Sequence, residues 1–395
     1  MEKRILIRYG EIGLKGRNRR WFEDQLLANL RKTLNGLPVE IVKTQERILL
    51  KPSGTDAEEV WNARELYRRL GRVFGLVSFS PVIKTESKLE SITAAAVTLF
   101  QEKPARTFKV ESRRADKTFP IPSLELSRTL GGLLLDRFPE TRVDVHTPEL
   151  LISVEVRKEA AYIYGESIPG LGGLPVGVAG RCLLLLSGGI DSPVAGWMTM
   201  KRGARVEALH FHHYPFTSER AQDKVKELWQ VLRNYGAEQT VRVVNIGEIQ
   251  NEIVKSCPEK FRVTLLRRMM FRIASRIAER EGHLALVTGE SIGQVASQTI
   301  ESMRVINEVT NLPILRPLAG MDKSEIIERA IKIGTYELSI QPYDDCCTLF
   351  LPRSPETRPN LENIKKAEQA LEIERLVDDA VESLERWDIP LDVLY

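Results

Sequence analysis

The stretch Leu183–Ser192 reads LLLLSGGIDS and runs on into PVAGW, placing two glycines, two hydroxyls and one carboxylate between a leucine run and a proline. Those residue types, in that order, suit the binding of an anion. The leucines are few enough for a buried strand, Ser187, Gly188 and Gly189 make a tight turn, and Ser192 before Pro193 predicts an N-cap and the first position of a helix. Gly188 and Gly189 let the backbone approach a phosphate with no Cβ in the way, while Ser187, Ser192 and the first helical amides supply donors. Asp191 beside phosphate alone would be repulsive, so its presence predicts a bridging Mg²⁺, held by one carboxylate and the phosphates. The chain contains neither G-x-x-x-x-G-K-[ST] nor G-x-G-x-x-G after a strand, which excludes two common nucleotide loops.

The SGGIDS loop resembles that of the PP-loop ATP pyrophosphatases, which hold the β and γ phosphates of ATP while AMP is transferred to an oxygen. Other residues of the same region fit such a site. In HFHHYPFTSER, His210 and Phe211 are candidates to flank an adenine; a metal role for His210, His212 and His213 is disfavoured because no carboxylates accompany them. Arg267 and Arg268 interrupt the apolar face of a helix, either as a ligand contact or as a snorkelling surface pair. In TGESIGQVASQT, Gly289 and Gln298 are candidates to complete the pocket. Lys323 in MDKSEI is expected just before a helix capped by Ser324, a place unfavourable for the helix dipole but within reach of a phosphate. Cys346 and Cys347 in YDDCCTLF follow acidic residues that raise a thiol pKa, so a reactive thiol there needs a compensating cation or a persulfide.

The elements that must position these residues can be read coarsely. With 395 residues the chain is long enough for two to three domains. RYGEIGLKGRNR, two short strands in VEIVKTQERILLKPSG and a helix over 57–69 predict a small α+β domain, 1–70. A second α+β domain, 71–167, is predicted from the helix LESITAAAVTLFQ, the strand TFKVESRR, the helix SLELSRTLGGLLLDRF and the strands VDVHTP, LLISVEVRK and AAYIYGES. Glycine and proline in IPGLGGLPVGVAGR mark a linker, 168–180. Over 181–395, strands RVEALHF, TVRVVNI and HLALVTG alternate with helices, which predicts a mainly parallel sheet covered on both faces.

Hydrophobic residues make up 43% and charged residues 28%, with no apolar run long enough to cross a bilayer and no secretory signal, so a cytoplasmic protein without a membrane partner is expected. The four cysteines lack the spacing of a zinc site or a disulfide scaffold. A net charge of +3 barely favours a polyanion, so only its distribution argues for one. Lys15, Arg17, Arg19 and Arg20 cluster near the start, and TFKVESRRADKTF joins Lys109, Arg113, Arg114 and Lys117 to Phe108 and Phe119; both clusters are candidate RNA-phosphate contacts.

With SGGIDSPVA, HFHHYPFTSERA, VTGESIGQVASQT, DKSEI and DDCC in this order, the chain resembles the tRNA 4-thiouridine synthetases, or tRNA sulfurtransferases, over its whole length. The resemblance implies a ferredoxin-like domain, a THUMP domain that grips the acceptor end of tRNA, and a PP-loop domain that adenylates the C4 oxygen of uridine 8. Persulfide sulfur then replaces that oxygen. Carried over, the ATP contacts are Leu185, Leu186, Ser187, Gly188, Gly189, Asp191, Ser192, His210, Phe211, Arg267, Gly289 and Gln298. Asp191 also serves as metal ligand, Lys323 is tied to activity, and Cys346 is the catalytic cysteine, with Cys347 a neighbour that some members lack. The implied cofactors are ATP and Mg²⁺; the implied partners are tRNA, a cysteine desulfurase and a second copy in a homodimer. Longer members carry a rhodanese-like domain. This sequence reaches Tyr395 without one, so direct loading by the desulfurase, or sulfide serving in place of the persulfide, is expected, and the family's thiazole-forming role is not. Other adenylating tRNA-modifying enzymes, and a non-catalytic tRNA-binding protein, are the competing readings.

Overall fold

A computed structural model describes residues 1–44, 47–53, 64–213, 218–343 and 354–391. The chain divides into two compact units, Met1–Gly173 and Leu174–Tyr395.

The first unit is built on one mixed, mostly antiparallel sheet. Its strands are β1 (Glu2–Tyr9), β2 (Val39–Lys43), β3 (Ile48–Pro52), β4 (Leu76–Thr85), β5 (Thr107–Arg114), β6 (Arg142–Val143), β7 (Leu150–Val156), β8 (Ala161–Tyr164) and β9 (Ile168–Pro169). They run in the order β2-β3-β1-β4-β8-β7-β5-β6, with β9 beside β4. The long strand β4 pairs with β1 on one side and β8 on the other, so the two α+β halves anticipated from sequence share a continuous ladder. Helices Arg19–Thr33 and Arg64–Leu70 cover the β1/β3 half through Leu26, Leu30 and Leu66. Helices Leu89–Glu102 and Ser123–Arg137 cover the β5/β7/β8 half through Ile92, Leu99, Leu126 and Leu130. Each such leucine or isoleucine withdrawn from water contributes roughly 1.5–3 kcal/mol before entropy is counted.

β1 lies inside the sheet with both faces covered: Ile5 and Ile7 join one core, and Leu6 is buried in a separate cluster with Leu49, Val82 and Tyr162. Two local expectations need correction. VDVHTP is not a strand beyond Val143, since the Asp144 carboxylate accepts the amides of His146 and Thr147 and folds the chain into a turn. The segment expected to be a plain linker begins with the short strand β9 and then bonds Gly170 and Gly172 amides to Val77 and Leu76 carbonyls.

The second unit carries the strands β10 (Arg181–Leu185), β11 (Arg205–His212), β12 (Thr240–Asn245), β13 (Ala285–Val287), β14 (Ile314–Leu315) and β15 (Glu385–Asp388) in the order β14-β13-β10-β11-β12-β15. All pairings are parallel except β12 with β15. Leu183 faces a core of Leu265, Met269, Ile273 and Ile277 from helix Arg262–Glu281. Leu184 faces the other way, toward helix Asp191–Lys201: a Cβ on Gly196 of that helix would stand 2.7 Å from Leu184 Cδ2. From β10 the chain continues to β11 on one side, and β13 returns on the other. The crevice beyond the carboxyl ends of β10 and β13 is therefore a switch point, where sheets of this kind place ligands.

A buried ionic group ties the strands together away from that crevice. Glu207 on β11 accepts from Arg181 of β10 at 2.7 Å and pairs with Arg242 of β12 at 2.7 Å and His283 at 3.3 Å. Burial alone would raise its pKa, but the hydrogen bonds from His283 and Arg181 and the Arg242 charge overcome it and hold the carboxyl down to about 2, from 4.5. The folded form binds this proton less readily than the unfolded form, so the group stabilises above pH 4.5 and that contribution is lost as pH falls from 4.5 through about 2. Urea titrations across the acid range should show the stability difference between wild type and Glu207→Gln narrowing by about 1–3 kcal/mol.

Candidate active site

The amide of Leu186 bonds the Leu209 carbonyl at 2.8 Å, extending the β10 ladder by one bond before the chain turns. The turn is closed from within. The Ser187 amide donates to Ser192 Oγ at 2.9 Å, Ser192 Oγ donates to the Ser187 carbonyl at 3.2 Å, and the two hydroxyls lie 3.1 Å apart. The Gly189 amide reaches Ser187 Oγ at 3.3 Å. The helix begins at Asp191 rather than after Ser192, so Ser192 is not the N-cap; its hydroxyl instead locks the loop. Pro193 still fits, because the first-turn amides of a helix have no partner within it.

Asp191, the first residue of this helix, is held from two sides. Lys323 Nζ approaches Oδ1 at 2.5 Å and Gln294 Nε2 donates to Oδ2 at 2.8 Å. Lys323 is itself the first residue of helix Lys323–Ile333, and the cap is Asp322, not Ser324, in a reciprocal box with Glu325. D-K-S-E is the readable signal for that box. The unfavourable place of an ammonium at a helix start is offset by the Asp191 carboxylate.

A cavity of about 240 Å³ opens behind the loop, lined by Leu185, Leu186, Ser187, Asp191, Ser192, His210, Phe211, Arg267, Met270, Thr288, Gly289, Glu290 and Gln298. Ten residues singled out from sequence thus meet here, with Gly188 and Gly189 in the adjoining loop. His210 Nδ1 lies 3.0 Å from the Leu186 carbonyl, which fixes that nitrogen as the donor. Gln298 accepts the Ser291 amide at 3.3 Å, shaping the loop it belongs to as well as lining the cavity.

Met270, Thr288 and Glu290 were not anticipated. Glu290, only 2% exposed, pairs with Arg267, with Arg316 at 2.7 Å and with Thr288 Oγ1 at 2.8 Å. Burial opposes its ionisation, yet the two guanidinium charges keep its pKa below the ordinary carboxylate value. Arg267 is thus fixed against the cavity wall. Arg268 faces elsewhere: 1% exposed, it is neither a ligand contact nor a surface group but pairs with Glu368 at 2.8 Å and Glu308 at 3.0 Å. Glu290→Ala leaves the half-buried guanidinium groups of Arg267 and Arg316 without their carboxylate and should cost about 1–3 kcal/mol, read by urea unfolding. The same variant should raise the KM for ATP as Arg267 loses its anchor.

Cys346 and Cys347 lie outside the described residues. The other two cysteines are buried, and burial pushes the Cys182 thiol up to about 11 and Cys257 upward as well, so neither is poised as a thiolate. The grouping with metal-ligand spacing among the described residues is Glu207, Glu281 and His283, whose carboxylates are already paired with arginines.

In the first unit, Arg17 and Arg20 are exposed, and Lys15 stands 5.1 Å from the Phe22 ring centroid. Arg19 is committed to Glu23 at 2.7 Å and Tyr9 at 2.9 Å. Lys109 pairs with Glu111 at 2.8 Å, Arg113 and Lys117 are exposed, and Arg114 donates to the Phe119 carbonyl at 2.6 Å. Phe108 and Phe119 belong to the hydrophobic core, which removes them as surfaces for base stacking.

A strand, an SGG-x-DS turn and a helix at the switch point of a parallel sheet, with a carboxylate and an ammonium at the mouth, define a PP-loop nucleotide domain. Comparison with known proteins narrows the class. A family model described as thiamine biosynthesis protein (ThiI) matches residues 177–373, one for a ThiI ferredoxin-like domain matches 4–80, and one for a THUMP domain matches 86–166. A probable tRNA sulfurtransferase of Moorella thermoacetica is 53% identical over 96% of both chains, and one of Brevibacillus brevis is 50% identical over 98% of this chain and 96% of its own. A 4-thiouridine synthetase solved in complex with RNA and bound ATP superposes with a TM-score of 0.88 at 39% identity, covering 99% of this chain and 100% of that one. The chain belongs to the ThiI family of tRNA sulfurtransferases.

Proposed function

We propose that this protein uses ATP to convert uridine 8 of tRNA to 4-thiouridine. The observation that carries the reading is the Asp191–Lys323 pair, 2.5 Å long, at the mouth of a cavity bounded by the SGGIDS loop. Uracil O4 attacks the α phosphorus of ATP and pyrophosphate leaves toward the loop, where helix amides and Lys323 offset its charge. The terminal sulfur of a cysteine persulfide then attacks C4 and AMP departs, so one difficult displacement becomes two easier ones. A second thiol, Cys347 or one from outside, opens the S–S bond joining the new base sulfur to the chain. Cys346 is assigned as the carrier by family resemblance and by the burial of Cys182 and Cys257.

Mg²⁺ fits the donors present, since Asp191 offers one carboxylate beside hydroxyls and an ion there would draw its remaining oxygens from phosphate and water. When bound it would neutralise phosphate charge; Asp191 would hold it, with Lys323 free to turn to the phosphates. Arg17, Arg20, Arg113 and Lys117 are the exposed candidates for RNA phosphate. The desulfurase donor, the homodimer and the cytoplasmic setting rest on family resemblance, alongside the absence, among the described residues, of a helix long and apolar enough to cross a membrane.

The test is mass spectrometry of nucleosides from unmodified tRNA incubated with the protein, ATP, Mg²⁺, a cysteine desulfurase and cysteine. 4-Thiouridine is expected. Pyrophosphate release that depends on tRNA but yields no thiolated base would instead mark a different acceptor chemistry.

A further inference from the structure

Lys224 stands on helix Glu219–Arg233 and is only 5% exposed. A lysine is rarely withdrawn from water unless its charge is met. Here Nζ donates to the main-chain carbonyls of Gln341 at 2.9 Å and Tyr343 at 3.4 Å. The same helix places the Arg220 guanidinium 5.9 Å from the Tyr343 ring centroid. Just upstream, Ser339 Oγ donates to the Thr335 carbonyl at 2.8 Å and reaches the Gly189 carbonyl of the SGGIDS loop at 3.4 Å. Residues 339–343 therefore begin beside the pyrophosphate loop and end on a buried ammonium. Cys346 follows Tyr343 by three residues, a contour of at most about 11 Å.

We propose that Lys224 is a positioning residue for sulfur transfer: by gripping the carbonyls of Gln341 and Tyr343 it anchors the chain three residues before Cys346. This rests on the reading that Cys346 or Cys347 carries the sulfur. Adenylation uses groups on β10, helix Asp191–Lys201 and Lys323, whereas the carbonyls that Lys224 grips lie five and three residues before Cys346, so its loss acts on the second step. A misplacement of about 1 Å at a reacting centre can cost on the order of a hundredfold in rate.

The experiment measures tRNA-dependent pyrophosphate release and 4-thiouridine formation in the same single-turnover reactions for wild type, Lys224→Met, Lys224→Arg, Cys346→Ser and Cys347→Ser. Lys224→Met is expected to keep pyrophosphate release within about twofold while thiolation falls about tenfold or more. Lys224→Arg, whose guanidinium can donate to both carbonyls, is expected to regain most of the thiolation. Retained pyrophosphate release shows that the domain is folded. Parallel loss of both activities in both Lys224 variants would make the residue merely structural and overturn the proposal. So would an unchanged ratio in Lys224→Met while a cysteine variant stops thiolation. Normal thiolation in both cysteine variants would overturn the sulfur-carrier reading, and the proposal with it.

Discussion

Asp191→Ala is expected to abolish tRNA-dependent pyrophosphate release, with a fall on the order of a thousandfold or more, while leaving the fold intact. The two halves of this expectation have separate causes. Asp191 is the first residue of its helix and only a fifth of its side chain is exposed, but its carboxylate bonds to Lys323 and Gln294 rather than to the core. Alanine is a good helix former, so melting should shift little. What disappears is the group that holds Lys323 at the loop and that would hold a cation on the phosphates. Cys346→Ser should behave in the opposite sense, preserving pyrophosphate release and stopping thiolation, because serine retains the small polar shape but carries no persulfide. Loss of pyrophosphate release in both variants would sink this division of labour.

The outcome at Asp191 bears on what a sequence can disclose. The strand, loop and helix around SGGIDS were legible because their determinants are local: a short leucine run, glycines at the turn and a proline in the first helical turn. β10, β11, β12 and β13 were legible for the same reason, as apolar runs between helical stretches. β14 and β15 are 2 and 4 residues long and carry no period that could be read. Nor could it be read that β4 serves both halves of the first unit, since pairing on its two edges is decided by partners far apart in the chain.

Within the site, the SGGIDS residues, those on β10 and β11 and, through the family's motifs, Arg267, Gly289 and Gln298 were anticipated, whereas Met270, Thr288 and Glu290, set by tertiary neighbours, were not. Glu290 stands beside Gly289 with nothing in its surroundings to announce two arginines, Arg267 and Arg316, drawn from positions on either side in the chain. Arg267 and Arg268 look equivalent in sequence, yet one residue of helical rotation sends the first to the cavity and the second to Glu368. Phe108 and Phe119 stand among basic residues, but strand and turn geometry carry both rings into the core. Charge and aromaticity side by side in sequence are thus poor evidence of a shared surface.

Gly289→Ala should also be strongly damaging, although it adds a single methyl group and removes no functional atom. A Cβ at position 289 would stand 2.6 Å from the Ser192 amide nitrogen, 2.7 Å from the Asp191 carbonyl carbon and 2.9 Å from Ser192 Cα. All three are backbone, so no side chain can rotate out of the way. Either the loop after β13 withdraws, taking Glu290 and Gln294 with it, or the start of helix Asp191–Lys201 shifts and breaks the Ser187–Ser192 lock. Overpacking of this kind costs about 1–3 kcal/mol, and a displacement of about 1 Å at the phosphate loop would lower ATP-dependent pyrophosphate release by about a hundredfold. Gly196→Ala is the matched control, because its Cβ would meet the Leu184 side chain at 2.7 Å, where a terminal methyl can give. Thermal melts and kcat/KM for ATP on the two variants should separate them: both somewhat destabilised, only Gly289→Ala deprived of activity. Wild-type pyrophosphate release in Gly289→Ala would show that the loop after β13 can withdraw without disturbing the site, and the close approach of these two backbones would then be a matter of packing alone.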